Sequence, residues 1–141
     1  MMKIKDIHIQ NFRGIETLSI VDADPHMNLI VGINGAGKTS VLDALAMLLS
    51  WFIARMRSTN AKGILPNELD VKIDSRVPCY LSINTENDVS WSIVKNKAYT
   101  ARKKQTAYKT VLSEMSSFAD EIVENAVHGG CVPILMYYPV E

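Results

Sequence analysis

Residues 29–42 read LIVGINGAGKTSVL, and this stretch decides the fold that the rest of the chain is expected to adopt. Within it, residues 32–39 fit the pattern G-x-x-x-x-G-K-[ST]. Glycines at these positions allow backbone conformations that a Cβ atom would forbid, so successive N–H groups can point at one anion. The lysine adds a positive charge, and the following hydroxyl can bind a divalent cation. Residues 32–39 therefore predict a loop that binds nucleotide phosphates, called the phosphate loop below.

The residues on both sides of the phosphate loop have the pattern that such a loop requires. An apolar run precedes it and predicts a buried strand at residues 27–31. A long apolar pattern at residues 38–57 predicts a helix buried under a sheet. A membrane span is disfavoured because it needs about 20 apolar residues, and this run is shorter. Asp43 is the lone acid in the helix. It could orient a group near the loop, but we expect it to be solvated or to act as a cap.

The length and composition are those of a globular protein. The chain has 141 residues, of which 48% are hydrophobic and 21% charged, enough for one domain or part of a larger one. Fifteen basic and fifteen acidic residues cancel, so the overall charge favours neither a nucleic-acid nor a membrane partner. Two cysteines without metal-ligand spacing, and a polar start without a signal peptide, predict a cytoplasmic protein.

Alternating apolar and polar residues predict β structure before and after the phosphate loop. One strand is expected at residues 2–10, and a second at 16–21 is expected to pair with it antiparallel. Further along, residues 79–83 and 89–94 alternate on either side of a polar turn and predict a hairpin. Trp91 is expected to anchor the core from the second strand of that hairpin. A short strand is also expected at residues 71–74.

The last third of the chain predicts a helix followed by a second buried strand. Apolar residues recur at spacings of four, three and four, so a helix is expected over residues 111–126. Gly129 and Gly130 should end it. The continuous apolar run at residues 132–138 predicts a core strand beside the one that leads into the phosphate loop. The basic residues ahead of the helix indicate its solvated start rather than a nucleic-acid contact. They are Lys97, Arg102, Lys103, Lys104 and Lys109.

The order of these elements resembles one group of ATPases. The stretch NFRG at residues 11–14 follows the first strand, and GINGAGKTSVLDAL follows at 32–45. Together they resemble the ABC-type ATPase heads of the RecF, Rad50, SMC and OLD proteins. The stretches LDALAMLLSW at 42–51 and PILMYYPV at 133–140 are similar to the PtuA-type ATPases of Septu anti-phage systems and some retrons. The resemblance covers nearly the whole chain, although residues 58–110 contribute little to it.

The resemblance implies an α/β fold, namely the N-terminal lobe of an ABC-type head of the P-loop NTPase class. In such a lobe an antiparallel strand pair and core strands pack on the helix after the phosphate loop. Residues 1–141 would be the incomplete N-terminal part of that domain. The signature motif, the acidic strand and the catalytic acid would lie downstream. Because two heads sandwich ATP, we expect a head-to-head ATP dimer in full length. The chain alone should bind nucleotide but hydrolyse it poorly.

The resemblance also implies an ATP and Mg²⁺ site, residue by residue. Lys38 has the catalytic role of neutralising the phosphates, and Thr39 binds Mg²⁺. Arg13 matches a motif arginine that lies near the nucleotide in relatives, and a surface turn residue is the alternative. The residues expected to bind the cofactor are Arg13, Asn34, Gly35, Ala36, Gly37, Lys38, Thr39 and Ser40.

Several functions are compatible with this sequence. The first is the ATPase of an anti-phage defence system that regulates a partner nuclease. The second is a RecF-like or Rad50-like repair ATPase that binds DNA directly. The third is a stand-alone P-loop kinase or GTPase. Proteins of that class lack the strand pair and the Phe12-Arg13-Gly14 turn in front of the phosphate loop. A GTPase would also need an N-K-x-D base reader, which the sequence lacks. The fourth is a non-catalytic interaction module that keeps the loop without using it. No membrane partner is expected.

Overall fold

The computed structural model describes residues 1–71, 77–96 and 108–139. Four strands in this part of the chain form one antiparallel sheet in the order β2-β1-β3-β4. Two helices and one short 3₁₀ turn complete the described regular structure. In chain order the elements are β1 (Ile4–Phe12), β2 (Ile15–Ile20), α1 (Lys38–Arg57), the 3₁₀ turn (Glu68–Asp70), β3 (Cys79–Thr85), β4 (Ser90–Lys95) and α2 (Ser113–Val127).

The sheet has one apolar face and one polar face because side chains alternate along each strand. Ile7 and Ile9 of β1 are buried on the apolar face, as are Leu81 and Ile83 of β3. On the polar face, His8 of β1 lies between a serine of β2 and a serine of β3, in register with both. The predicted strand pair and the predicted hairpin are therefore confirmed, with bounds shifted by one to two residues.

The core lies between the apolar face of the sheet and the two helices. The Phe52 ring of α1 stacks near Trp91 of β4 and Phe118 of α2, with ring centroids 6.1 and 5.9 Å away. The indole nitrogen of Trp91 donates a hydrogen bond of 2.9 Å to the backbone oxygen of Leu48. Trp91 thus anchors the core as the sequence predicts, with its polar atom satisfied.

Helix α1 is buried along one stripe rather than all round. By length and composition it could cross a membrane, with a hydropathy of 1.4, but its buried stripe contacts the sheet and α2. Arg55 of α1 donates to both carboxylate oxygens of Asp120 on α2, at 3.1 and 2.7 Å. Residues on the opposite side, such as Leu42, are exposed. The prediction of a helix under a sheet is confirmed for this one face.

The two apolar segments predicted as core strands are not strands in the described structure. Residues 27–31 and 132–138 form no ladder hydrogen bonds. Leu29, Val31 and Ile134 are 84%, 81% and 86% exposed. A buried strand needs neighbours to pair with its N–H and C=O groups. The sheet of β1 to β4 offers none there, so both strand predictions are wrong for the described chain.

The remaining predictions concern the connections between elements. The segment after α1 is irregular up to the 3₁₀ turn, and the indole nitrogen of Trp51 donates to the backbone oxygen of Ile64 at 3.0 Å. Helix α2 begins two residues later than predicted. Val111 is not helical because its backbone pairs with that of Ser92 in β4. Gly129 follows α2 with a φ of +88°, which suits a glycine that ends a helix. Most of the predicted strand at 71–74 and most of the basic residues lie outside the described residues.

Candidate nucleotide-binding site

The phosphate loop connects an exposed segment to the first turn of α1. Gly35 and Gly37 have φ angles of +83° and +89°, in the left-handed region that glycine adopts without strain. Gly37 is the N-cap of α1 and no side chain caps the helix there. The N-terminal N–H groups of α1 are therefore not engaged by a cap. They also carry the positive end of the helix dipole, so the position suits an anion.

Lys38 lies folded over its own loop. Its ammonium donates hydrogen bonds to the backbone oxygens of Gly32 and Ile33, at 2.6 and 2.7 Å. Both acceptors belong to the phosphate loop, so the positive charge of Lys38 lies at that loop. A Cβ on Gly32 would lie 3.3 Å from the Ala36 Cβ, which shows how closely the loop turns back on itself.

The other predicted loop residues are accessible from solvent. Asn34, Gly35 and Ala36 are exposed, and so is Thr39 on the first turn of α1, while Ser40 is half-buried. A nucleotide can thus reach the loop amides and the Thr39 hydroxyl together. The structure brings all the predicted residues from 34 to 40 into one place.

Arg13 lies in the turn between β1 and β2 and is held by two acids. Its backbone N–H donates to the backbone oxygen of Asp70 at 2.6 Å. Its Nε donates to a carboxylate oxygen of Asp70 at 2.9 Å, and its Nη1 donates to Asp43. The guanidinium also lies over the Phe12 ring, 4.9 Å from the centroid. Arg13 is therefore not a free surface residue of a turn.

Asp43 is the centre of this network, and the expectation that it is solvated or a cap is wrong. One carboxylate oxygen accepts from Arg13, the other accepts from the Tyr137 hydroxyl, and the side chain is only 19% exposed. Burial alone would raise the pKa of Asp43. The hydrogen bonds from Tyr137 and Arg13 and the charge of Arg13 outweigh burial and hold that pKa below its usual value. Asp43 is thus ionised at neutral pH.

The charge state of Arg13 follows the same balance. Burial alone would lower its pKa, but the hydrogen bonds and charges of Asp70 and Asp43 raise the pKa above its usual value. The network is therefore ionic, and it joins the β1–β2 turn to α1 and the 3₁₀ turn. Ile15 brings the start of β2 to the phosphate loop as well, since a Cβ on Gly37 would lie 3.5 Å from its Cγ1.

A metal ion at this site would have to be shared with the nucleotide. Within the described ranges, no group of three or more His, Cys, Asp or Glu side chains is placed to hold a metal. Mg²⁺ commonly keeps several waters and takes few protein ligands besides substrate phosphates. The exposed Thr39 hydroxyl beside the loop fits that donor set, and Mg²⁺ bound with a nucleotide would balance phosphate charge.

Comparison with known proteins identifies the family. A family described as AAA domain matches residues 6–128. The chain belongs to this AAA domain family. Retron Vc95 probable ATPase of Vibrio cholerae serotype O1 biovar El Tor is 24% identical over 147 residues, covering 99% of this chain and 28% of that protein. The chain thus spans less than a third of this relative's length.

Two further relatives extend the comparison. Retron Ec83 probable ATPase of Escherichia coli is 39% identical over 72 residues, covering 48% of this chain and 13% of that protein. The DNA double-strand break repair Rad50 ATPase of Pyrococcus abyssi is 29% identical over 131 residues, covering 86% and 14%. The predicted resemblance of this AAA domain to Rad50-like and retron ATPases is confirmed.

The sequence did not reveal Asp70 or Tyr137 as partners in the Arg13 network. Asp70 has a local signal, because Asn67 and Asp70 form a capping box, with the Asn67 side chain accepting from the Asp70 N–H. That pattern indicates a helical turn but not an arginine partner. Tyr137 lies 94 residues from Asp43, and nothing in the AAA domain sequence marks that contact.

Proposed function

We propose that this chain is the ATP-binding N-terminal lobe of an ABC-type ATPase that serves an anti-phage defence system by regulating a partner nuclease. One observation carries the ATP-binding part. Lys38 lies within a loop of left-handed glycines at an uncapped helix N-terminus. This arrangement offers a positive charge and backbone donors to the phosphates of a nucleotide.

In this proposal the residues of the site have distinct roles. Residues 34–40 surround the phosphates with backbone N–H groups. Lys38 neutralises the β- and γ-phosphates, and Thr39 is a ligand of Mg²⁺. Arg13 contributes a guanidinium N–H from the neighbouring turn. ATP and Mg²⁺ are thus the cofactors, and the intact protein would be cytoplasmic.

Hydrolysis requires groups beyond those described. Asp43 and Asp70 are acids near the loop, and both are engaged by Arg13. Neither is free to orient an attacking water. The proposal therefore assigns hydrolysis to a head-to-head ATP dimer of the intact protein. The chain alone would bind ATP and hydrolyse it poorly.

The same proposal accounts for the exposed apolar segments. Residues 27–31 and 132–138 would become strands of a larger sheet in the intact protein, with residues 1–141 as its N-terminal part. A cleft of about 440 Å³ supports this proposal. Residues of α1 and of both apolar segments line the cleft, so it leaves apolar surface that further strands could cover. The greater length of the Vc95 relative also supports it.

The defence role and a DNA-repair role are supported by different relatives. Two relatives are named as retron ATPases, and one covers 99% of this chain. The alternative, a RecF-like or Rad50-like ATPase that binds DNA directly, is supported by the Rad50 relative, which covers 86%. Gel-shift titration of duplex DNA with the intact protein separates the two. Salt-sensitive binding without a partner favours the repair role.

The ATP-binding assignment is tested by thermal unfolding of the intact protein with and without MgATP. Wild type should gain about 2.7 kcal/mol of unfolding free energy at a hundredfold excess of ATP over Kd. Lys38→Ala should lose that gain, because the charge facing the phosphates is removed. Lys62→Ala is the matched control, since Lys62 is an exposed lysine after α1. Equal gains in wild type and Lys38→Ala would overturn the assignment.

The defence assignment is tested by phage challenge of cells that carry the protein and its neighbouring nuclease gene. Wild type should reduce phage plaques, and Lys38→Ala should restore them if ATP binding controls the nuclease. Undiminished plaques with wild type, or equal protection by both, would contradict the defence role.

A further inference from the structure

We propose that Asp43 and Asp70 are positioning residues that hold the Arg13 guanidinium for a phosphate oxygen of the bound nucleotide. This role rests on the proposed ATP-binding function and adds the two residues that act through Arg13. The observation behind it is that two acids from different elements hold one arginine next to the helix that begins at the phosphate loop.

Asp70 is a rigid support for Arg13. It accepts from Arg13 twice, with its backbone oxygen and with a carboxylate oxygen. Its other carboxylate oxygen accepts from the Asn67 N–H at 2.9 Å, and its side chain is 8% exposed. With both carboxylate oxygens engaged and little solvent contact, Asp70 fixes the backbone and Nε of Arg13.

Asp43 holds the other end of the guanidinium and relates it to the phosphate loop. It lies four residues after Thr39, so the two side chains share one face of α1 and are separated by about 6 Å along the helix axis. Tyr137 donates to the carboxylate oxygen that Arg13 does not use. The carboxylate that holds the guanidinium therefore lies about one helical turn along α1 from the residue proposed to bind Mg²⁺.

One guanidinium nitrogen is left over in this arrangement. Nε is engaged by Asp70 and Nη1 by Asp43. Among residues 1–71, 77–96 and 108–139, no residue accepts a hydrogen bond from Nη2. The Arg13 side chain is 35% exposed, so an anion in solvent can reach it. A guanidinium that is already fixed loses little freedom when it binds a phosphate oxygen.

The charges decide what kind of contact this would be. Asp43 and Asp70 together more than neutralise Arg13, so long-range attraction for phosphate is weak at this point. A directional hydrogen bond from a fixed donor is favoured instead. Loss of either acid should therefore weaken binding through misplacement of Arg13, not through a change in net attraction.

The test measures MgATP affinity of the intact protein by calorimetry for wild type, Arg13→Gln, Asp43→Asn, Asp70→Asn and the Arg13→Gln/Asp43→Asn double variant. Each single variant should weaken binding about tenfold, the lower end of the losses known for residues that orient metal ligands. The double variant should bind no more weakly than Arg13→Gln, because Asp43 acts through Arg13. A merely structural role of Asp43 would weaken both backgrounds equally and would overturn the proposal.

The outcomes separate this proposal from the one it rests on. If wild type fails to bind MgATP, or Lys38→Ala binds equally well, the ATP-binding function fails. If wild type binds, Lys38→Ala does not, and Asp43→Asn and Arg13→Gln stay within twofold of wild type, only the positioning role is overturned. Where Asp43→Asn does not fold, Tyr137→Phe replaces it, since it removes only one donor to Asp43. Its expected loss is two- to threefold, abolished in the Arg13→Gln background.

Discussion

The core of β1 to β4 with α1 and α2, and the open segments at residues 27–31 and 132–138, contain the same kinds of apolar residues in opposite environments. Ile9, Leu81 and Ile93 of the core are fully buried. Leu29 and Ile134 of the open segments are more than four-fifths exposed. Apolar content therefore does not distinguish the two regions, and the availability of pairing partners does.

Each core strand has one partner close along the chain, and β1 and β3 also pair with each other although they lie far apart in sequence. β1 pairs with β2 across a short turn, and β3 pairs with β4 across another. Such antiparallel pairs need only a tight connection. An apolar run that is suited to burial on both faces must pair with neighbouring strands, and these come from distant parts of the sequence. The described sheet does not provide them for the open segments.

The largest expected effect is the difference in unfolding free energy lost when an apolar side chain is removed from the core and from an open segment. Trp91→Ala should cost about 3–5 kcal/mol of unfolding free energy, because a buried ring contact and a hydrogen bond to Leu48 are lost. In the 141-residue chain, Leu29→Ala should cost less than about 0.5 kcal/mol, because the side chain is already in solvent. Urea unfolding of both variants measures the difference.

The same pair of variants in the intact protein sharpens the comparison. Leu29→Ala should then cost about 2 kcal/mol or more if residues 27–31 become a buried strand. A negligible cost in the intact protein would contradict the proposed larger sheet. A large cost in the 141-residue chain would contradict the exposure seen in the structure.

A smaller effect concerns pH and the Asp43 network, which joins the core to the open segment at residues 132–138. Because the folded-state pKa of Asp43 is lowered, its contribution is present above the unfolded pKa of about 3.9 and is lost as pH falls through the folded pKa. Wild type should lose about 1 kcal/mol more than Asp43→Asn on acidification, after allowance for the partial exposure of Arg13. Urea unfolding at several pH values tests this.

The matched control is Asp120→Asn, which removes an ion pair with Arg55 at an exposed site. Its stability should depend on acid in nearly the same way as wild type, because exposed pairs contribute little. If Asp43→Asn follows wild type down to acid pH, the ionic network does not stabilise the fold.

The smallest effect leaves stability unchanged and concerns thiol reactivity in the two regions. Burial, with a smaller contribution from the charge of Asp70, raises the pKa of Cys79 in the core to about 12. Cys131, beside an open segment, is exposed. Iodoacetamide should modify Cys131 first and reach Cys79 only after unfolding, as peptide mass spectrometry can follow. Equal rates in the native protein would show that the core opens readily.

Local patterns in the sequence were sufficient for the strand pairs β1–β2 and β3–β4, for both helices and for the glycine loop before α1, but not for the pairing of β1 with β3. Alternation predicts β1 and the hairpin because burial of one sheet face imposes it. The loop residues 34–40 are found together because they are contiguous. The Arg13 network was missed because its members Asp43, Asp70 and Tyr137 come from separate elements. The open segments were misassigned because an apolar run indicates a need for burial but not what supplies it.

The bonds from Lys38 to the backbone oxygens of Gly32 and Ile33 have a consequence for the shape of the phosphate loop. The ammonium acts as an internal clasp, so the loop keeps its curvature before any ligand arrives. If a triphosphate binds as proposed, its oxygens would replace the two carbonyl oxygens as acceptors for the Lys38 ammonium, and little further ordering of the chain would be needed. Removing the amine therefore loosens the loop as well as deleting a contact.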